Sequence, residues 1–116
     1  MKPLVINDEA ADELDEAIRY YETKSPGIGL NLAAKVSEAF ERIQRSPQLY
    51  PFHKDTNVQK CFVRRFPYTV FYLELDEHIV VIAVAHQKRR PDYWKFRQTA
   101  VSEMSDSFEA YGDRKP

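Results

Sequence analysis

Thr69-Val70-Phe71-Tyr72-Leu73-Glu74-Leu75-Asp76-Glu77-His78-Ile79-Val80-Val81-Ile82-Ala83-Val84-Ala85-His86 decides the fold. It holds two runs of β-branched, aromatic and aliphatic residues joined by a short acidic turn at Asp76-Glu77. Runs of this kind across so short a turn pair as antiparallel neighbours. The spacing predicts strands over Thr69 to Leu75 and Ile79 to His86. A further strand, Val58 to Phe66, enters through a turn at Pro67-Tyr68. On the last strand the two-residue period puts Val80, Ile82, Val84 and His86 on one face, so that His86 ends an apolar row. By the same period Arg64 and Arg65 point to opposite faces of their strand.

Upstream, the period lengthens. After a short apolar run, Leu4-Val5-Ile6, either Asn7 or Asp8 can cap a helix. Ala11, Leu14, Ala17, Ile18 and Tyr21 then recur at helical spacing, with Asp8, Glu9, Asp12 and Glu13 in the turns where the helix dipole favours acids. Ser25-Pro26-Gly27 ends that helix. A second, from near Ile28, carries Leu32, Val36, Ala39, Phe40 and Ile43 until Ser46-Pro47. Two helices across so short a turn form an antiparallel hairpin. The fold class is therefore α+β: an N-terminal strand, a helix hairpin, then a three-stranded antiparallel meander in one sheet. The expected core includes Leu14, Ile18, Tyr21, Leu32, Val36, Phe40, Val70, Tyr72, Ile82 and Val84. Pro91 opens a short helix through Arg97. Residues 98–116 read as a polar tail expected to be mobile, with a thin helical signal at Val101, Met104, Phe108 and Tyr111.

A chain of 116 residues, 43% hydrophobic and 30% charged, has the composition of one soluble domain rather than of a disordered segment. A lone cysteine, Cys61, fits a reducing compartment, and the longest apolar run, Ile79 to Ala85, is far below a membrane span. A cytoplasmic protein without membrane contact is expected. The net charge of −1 hides an asymmetry. Residues 1–46 carry six cations against nine acids, a balance of −3, while residues 59–97 carry eight against four, a balance of +4. A positive field confined to one region suits a specific anionic contact.

The cations cluster with aromatics in two places, Arg64-Arg65-Phe66-Pro67-Tyr68 and Lys88-Arg89-Arg90 with Tyr93-Trp94. Guanidinium forks match phosphate oxygens, and aromatic faces stack on bases. If the chain cleaves RNA, a ribose 2′-hydroxyl attacks the adjacent phosphorus, which needs cations for the developing charge and a group to move protons. His86 is the candidate for proton transfer, with Arg89 and Tyr93 as its catalytic companions. Lys60, Arg65, Arg90 and Trp94 are the candidates for binding phosphate or RNA. The plain alternatives are a strand-end His86 bonded to backbone and a Trp94 packed on the sheet or helices. His53, His78, His86 and Cys61 lack zinc-ligand spacing, and three glycines make no phosphate loop, so neither metal nor cofactor is expected.

The order of elements over residues 2–97 resembles the RelE/ParE superfamily of bacterial type II toxin–antitoxin toxins. So do Ala11-Asp12-Glu13-Leu14, Tyr20-Tyr21-Glu22, Phe66-Pro67-Tyr68, and His86 followed by Arg89, Pro91 and Trp94. The resemblance implies a toxin domain over residues 1–97 that inhibits growth and is held inactive by a cognate antitoxin. RelE-like toxins cut mRNA on the ribosome and ParE-like toxins act against DNA gyrase. A shared fold does not choose between them, and an inactive member that only binds its antitoxin is a third option. Two departures weaken the nuclease assignment: Thr69 follows Tyr68 where those nucleases place a cation, and His86-Gln87 precede the first cation after the last strand.

Overall fold

A computed structural model describes residues 1–90 and 92–98. The elements run β1 (Leu4–Ile6), α1 (Asp8–Lys24), α2 (Ile28–Arg45), a 3-10 turn (Pro47–Leu49), β2 (Gln59–Phe62), β3 (Tyr68–Glu74) and β4 (Ile79–His86). Asn7 starts α1, its side-chain oxygen accepting the Glu9 N–H at 2.8 Å, as an N-cap should. At the other end Glu22 turns the chain. Its carboxylate accepts the amides of Gly27 at 3.2 Å, Gly29 at 2.7 Å and Leu30 at 3.2 Å. It thereby caps the N-terminus of α2, where Gly27 is left-handed (φ 90°) and offers no side chain to do so. These amides, Gly27 foremost, hold the Glu22 carboxyl below its ordinary range.

The sheet has the order β1-β4-β3-β2. β2, β3 and β4 form the expected antiparallel meander. β1 joins it parallel to β4, so the sheet is mixed; a crossover as long as the helix hairpin permits that arrangement. The hairpin covers one face, where Leu32, Val36, Ala39 and Ile43 of α2 meet Cys61, Val70, Tyr72, Ile79, Val81 and Val84. Of the expected core, Leu14, Ile18, Tyr21 and Phe40 are only partly buried, though packed against this cluster. Tyr72 is fully buried and donates to the Pro47 carbonyl at 2.6 Å; burial pushes its phenol up.

Three expectations are corrected. The row Val80, Ile82, Val84, His86 does not share a face, because β4 carries an extra residue. Phe71 pairs with Ala83 but Tyr72 with Val81, a bulge at Ile82. Val80 and Ile82 therefore pack outward with Val58, Leu73 and Trp94, while Val84 faces the helices. β2 ends at Phe62, since Arg64 and Arg65 lie in the turn with Arg65 left-handed (φ 71°), so neither is a strand residue with a defined face. The turn accordingly falls before Tyr68, the first residue of β3. Near the C-terminal end, residues 92–94 form a turn and 95–98 a single helical turn. Pro91 and residues 99–116, nearly all of the tail, lie outside the described residues. No helix among the described residues is long and apolar enough to cross a membrane.

At Gly29 a Cβ would lie 2.5 Å from Glu22 Cγ and 2.5 Å from the Ile18 carbonyl oxygen. Gly29→Ala should therefore lower stability by roughly 1–3 kcal/mol in urea melts, as overpacking does. Leu30→Ala, at an exposed neighbour, should change it little.

Candidate functional site

Because β1 is only three residues long, β4 loses its parallel partner beyond Val81, whose carbonyl takes the Asn7 N–H at 2.9 Å. Glu13, in the second turn of α1, meets the unpaired stretch of β4. Its Oε1 accepts the Val84 N–H at 3.0 Å, and Arg97 Nη1 donates both to Oε1 at 3.0 Å and to the Ile82 carbonyl at 3.1 Å. A carboxylate and a guanidinium thus stand in for the missing strand. Glu13 Oε2 accepts the Tyr93 hydroxyl at 2.5 Å and lies 3.7 Å from Arg89 Nη1. The Arg89 guanidinium in turn sits 4.0 Å from the centroid of the Tyr93 ring. The side chains of Glu13 and Arg97 are 11% and 9% exposed, so charge meets charge with little water between. Burial and the Glu13 bond push the Tyr93 hydroxyl well above its usual range. For Arg97, burial opposes the charge, but Glu13 and Glu9 outweigh it and the pKa rises.

On the outer face of the sheet, opposite the helices, lies a cleft of about 280 Å³. Thr69, Phe71 and Ala85 floor it, β2 contributes Lys60 and Phe62, β4 contributes its last residue, His86, and the chain after β4 contributes Arg89, Arg90 and Tyr93. Six of the seven residues singled out in the sequence, Lys60, His86, Arg89, Arg90, Tyr93 and Trp94, line this one cleft. Lys60 and Arg90 have no ion-pair partner among the described residues. Trp94 is not available as a stacking platform: it is 1% exposed, packed 4.7 Å from the Phe71 ring and 5.0 Å from His53. One wall is pinned by Asp92, which holds His53 Nε2 at 2.6 Å and Lys54 Nζ at 3.0 Å. Those two bonds hold the Asp92 carboxyl at about 2.

The seventh residue, Arg65, lines a separate, more open groove of about 770 Å³ beside α1, with Tyr20, Tyr21, Lys24, Phe66 and Tyr68. His86 borders both spaces. Its ring stands edge-on to Tyr68, its cross-strand partner, at 5.2 Å, and its Nδ1 accepts the Lys88 N–H at 3.0 Å. The neutral ring therefore carries its proton on Nε2.

Sequence reasoning passed over Glu13, His53 and Asp92. For Glu13 there was a signal: it stands three residues after Ala10 and four before Ala17, both buried, so an acid occupies the apolar face of α1. His53 and Asp92 are 39 residues apart and meet only through the fold.

Residues 4–91 match the ParE toxin of the type II toxin–antitoxin system parDE, and the chain belongs to that family. In fold it is similar to a chain of the chromosomal ParDE toxin–antitoxin system from P. aeruginosa. That match has a TM-score of 0.67 at 17% identity and covers 74% of this chain and 96% of that one. Among curated proteins none matches the sequence significantly.

Glu13→Gln leaves Arg97 without its main counter-charge. Stability should fall by about 2–3 kcal/mol, less than the full penalty of a broken buried pair because Glu9 stays 3.2 Å from Arg97. The fluorescence of Trp94, the only tryptophan, reports the transition. Glu16→Gln, exposed on the same helix, should leave it unchanged.

The Asp92 carboxyl is depressed in the folded state, so its stabilisation is complete above the ordinary carboxylate range near ~4 and is lost as pH falls through about 2. Wild type should therefore be more stable than Asp92→Asn at neutral pH. The difference should shrink between those two values, measured by urea melts across the acid range.

Proposed function

We propose that this ParE-family toxin arrests growth through protein contacts on DNA gyrase rather than by cutting RNA, and that an antitoxin encoded beside it holds it inactive. Both target and antitoxin place it in the cytoplasm. The observation that carries this reading is the engagement of Glu13 with Tyr93 and Arg89. A nuclease needs those groups free to meet a phosphate. Here the tyrosine hydroxyl is spent on a carboxylate and the arginine is drawn toward the same negative charge, which repels a phosphorane. His86 adds to the case, because its Nδ1 is already occupied by the Lys88 amide. Thr69, where a cation would serve a nuclease, is 5% exposed on the floor of the cleft.

One observation favours RNA as a second reading: Lys60 and Arg90 border the outer cleft and have no ion-pair partner among the described residues. Expression of the toxin without its partner separates the two, by mapping mRNA ends and plasmid supercoiling in the same cells. Intact mRNA with altered supercoiling, insensitive to His86→Ala, is expected. Codon-associated cuts that vanish in both His86→Ala and Arg89→Ala would overturn the reading in favour of an enzyme. No effect on either would leave a member that only binds its antitoxin.

A further inference from the structure

The strand registers explain the shape of the outer cleft. Phe62 pairs with Thr69, and Thr69 with Ala85, so one large side chain stands beside two small ones on the same face of the sheet. Phe62 is 58% exposed, whereas Thr69 and Ala85 are buried, which leaves a depression beside an uncovered aromatic ring. Its charges do not balance. Asp92 is the one acid lining it, and that carboxylate is taken by His53 and Lys54. Arg89 is shared with Glu13, while Lys60 and Arg90 have no ion-pair partner among the described residues. The cleft thus asks for an occupant that brings an aromatic side chain and carboxylates together.

We propose that this occupant is the chain's own segment 106–113, with Phe108 or Tyr111 seated beside Phe62 and the segment's acids set against Lys60 and Arg90. Asp106-Ser107-Phe108-Glu109-Ala110-Tyr111-Gly112-Asp113 holds three acids, two aromatic rings and no cation, the complement of the cleft in both respects. Reach is no obstacle. The described chain stops at Gln98, four residues after Trp94, which itself lines the cleft, and that helical turn advances the backbone only about 6 Å. Residues 99–105 then provide up to about 24 Å of extended chain. Tethering supplies the rest. At an effective concentration of about 1 mM, even a segment with an intrinsic Kd of ~0.1 mM leaves the cleft open only about one-tenth of the time. The groove beside α1 fits this segment less well, because Tyr68 and Phe66 there already pack against Tyr21. A cleft closed by the chain's own carboxylates would turn away other polyanions, and the proposal holds whichever target the toxin has.

The test uses the full chain. Cys61 is buried, so a nitroxide attached to Ala110→Cys labels that position alone. The amide signals of Phe62, Thr69 and Gln87 should lose intensity, while those of Leu30 and Lys35 on the helix face should keep it. The loss should disappear in Lys60→Glu/Arg90→Glu and fade in high salt. A second readout is acetylation of Lys60 by acetic anhydride, measured against Lys35 by peptide mass. It should run about tenfold faster in Phe108→Ala/Tyr111→Ala, which leaves every charge in place, than in wild type. Weak, even broadening over the whole surface, or equal acetylation in the two proteins, overturns the proposal. Broadening centred on Tyr20 and Arg65 overturns it by placing the segment beside α1. Broadening seen only between spin-labelled and isotope-labelled chains mixed together overturns it in favour of a second copy. Protection of Lys60 that appears only when the product of the neighbouring gene is added assigns the cleft to that partner instead.

Discussion

A short strand leaves a sheet with an open edge, and in this protein a single buried carboxylate closes it. β1 ends at Ile6, and beyond Val81 the backbone of β4 would face the interior unpaired on that side. Unpaired buried amides cost as much as lost hydrogen bonds, so the fold needs a substitute. Glu13 supplies the acceptor and Arg97 the donor, and each charge neutralises the other. The same carboxylate then reaches Tyr93 and Arg89, which fixes the chain after β4 against α1. Helix, sheet and C-terminal turn are thereby joined at one point, and the chemistry available at the surface depends on how that carboxylate is shared.

The bulge at Ile82 belongs to the same arrangement. By adding one residue to β4 it reverses which side chains face the helices, and it frees the carbonyl that Arg97 takes. Val80 and Ile82 are thereby sent to the outer face, where with Leu73 and Val58 they need a cover, and Trp94 provides it. The outer cleft is the space left between that cover and the exposed end of β2. Its cationic rim is as much a product of the local packing as of the arginine-rich sequence.

The fold was legible in the sequence wherever periodicity was strong. Ile79 to His86 is found with both boundaries as read, and the helix hairpin stands between the turn residues that announced it. Face assignments failed where one residue changed the count. Nothing in Val80-Val81-Ile82-Ala83 distinguishes a bulge from a continuous strand, since every residue there is apolar. Arg64-Arg65 were read as strand residues because the strand was drawn from Val58 through Phe66; an arginine at positive φ has no sequence signature. The clustering of Lys60, His86, Arg89, Arg90, Tyr93 and Trp94 came from pairing the strands correctly. That Trp94 is a core residue depends on an outer-face cluster which the misassigned row concealed. Glu13 was visible as part of a motif, but its partners at positions 84, 89, 93 and 97 come from the far end of the chain.

The span that matches the ParE family stops at residue 91, yet Trp94 and Arg97 lie beyond it. Until a ribosome has made and released residues 92–98, the outer apolar face of the sheet has no cover and Glu13 has no guanidinium beside it. The nascent chain therefore passes through an interval in which every strand and the whole helix hairpin have been synthesised and the molecule is still unfinished. A folding intermediate with that surface exposed is prone to associate. Completion of the fold thus waits on residues 92–98, after the whole sheet has been made.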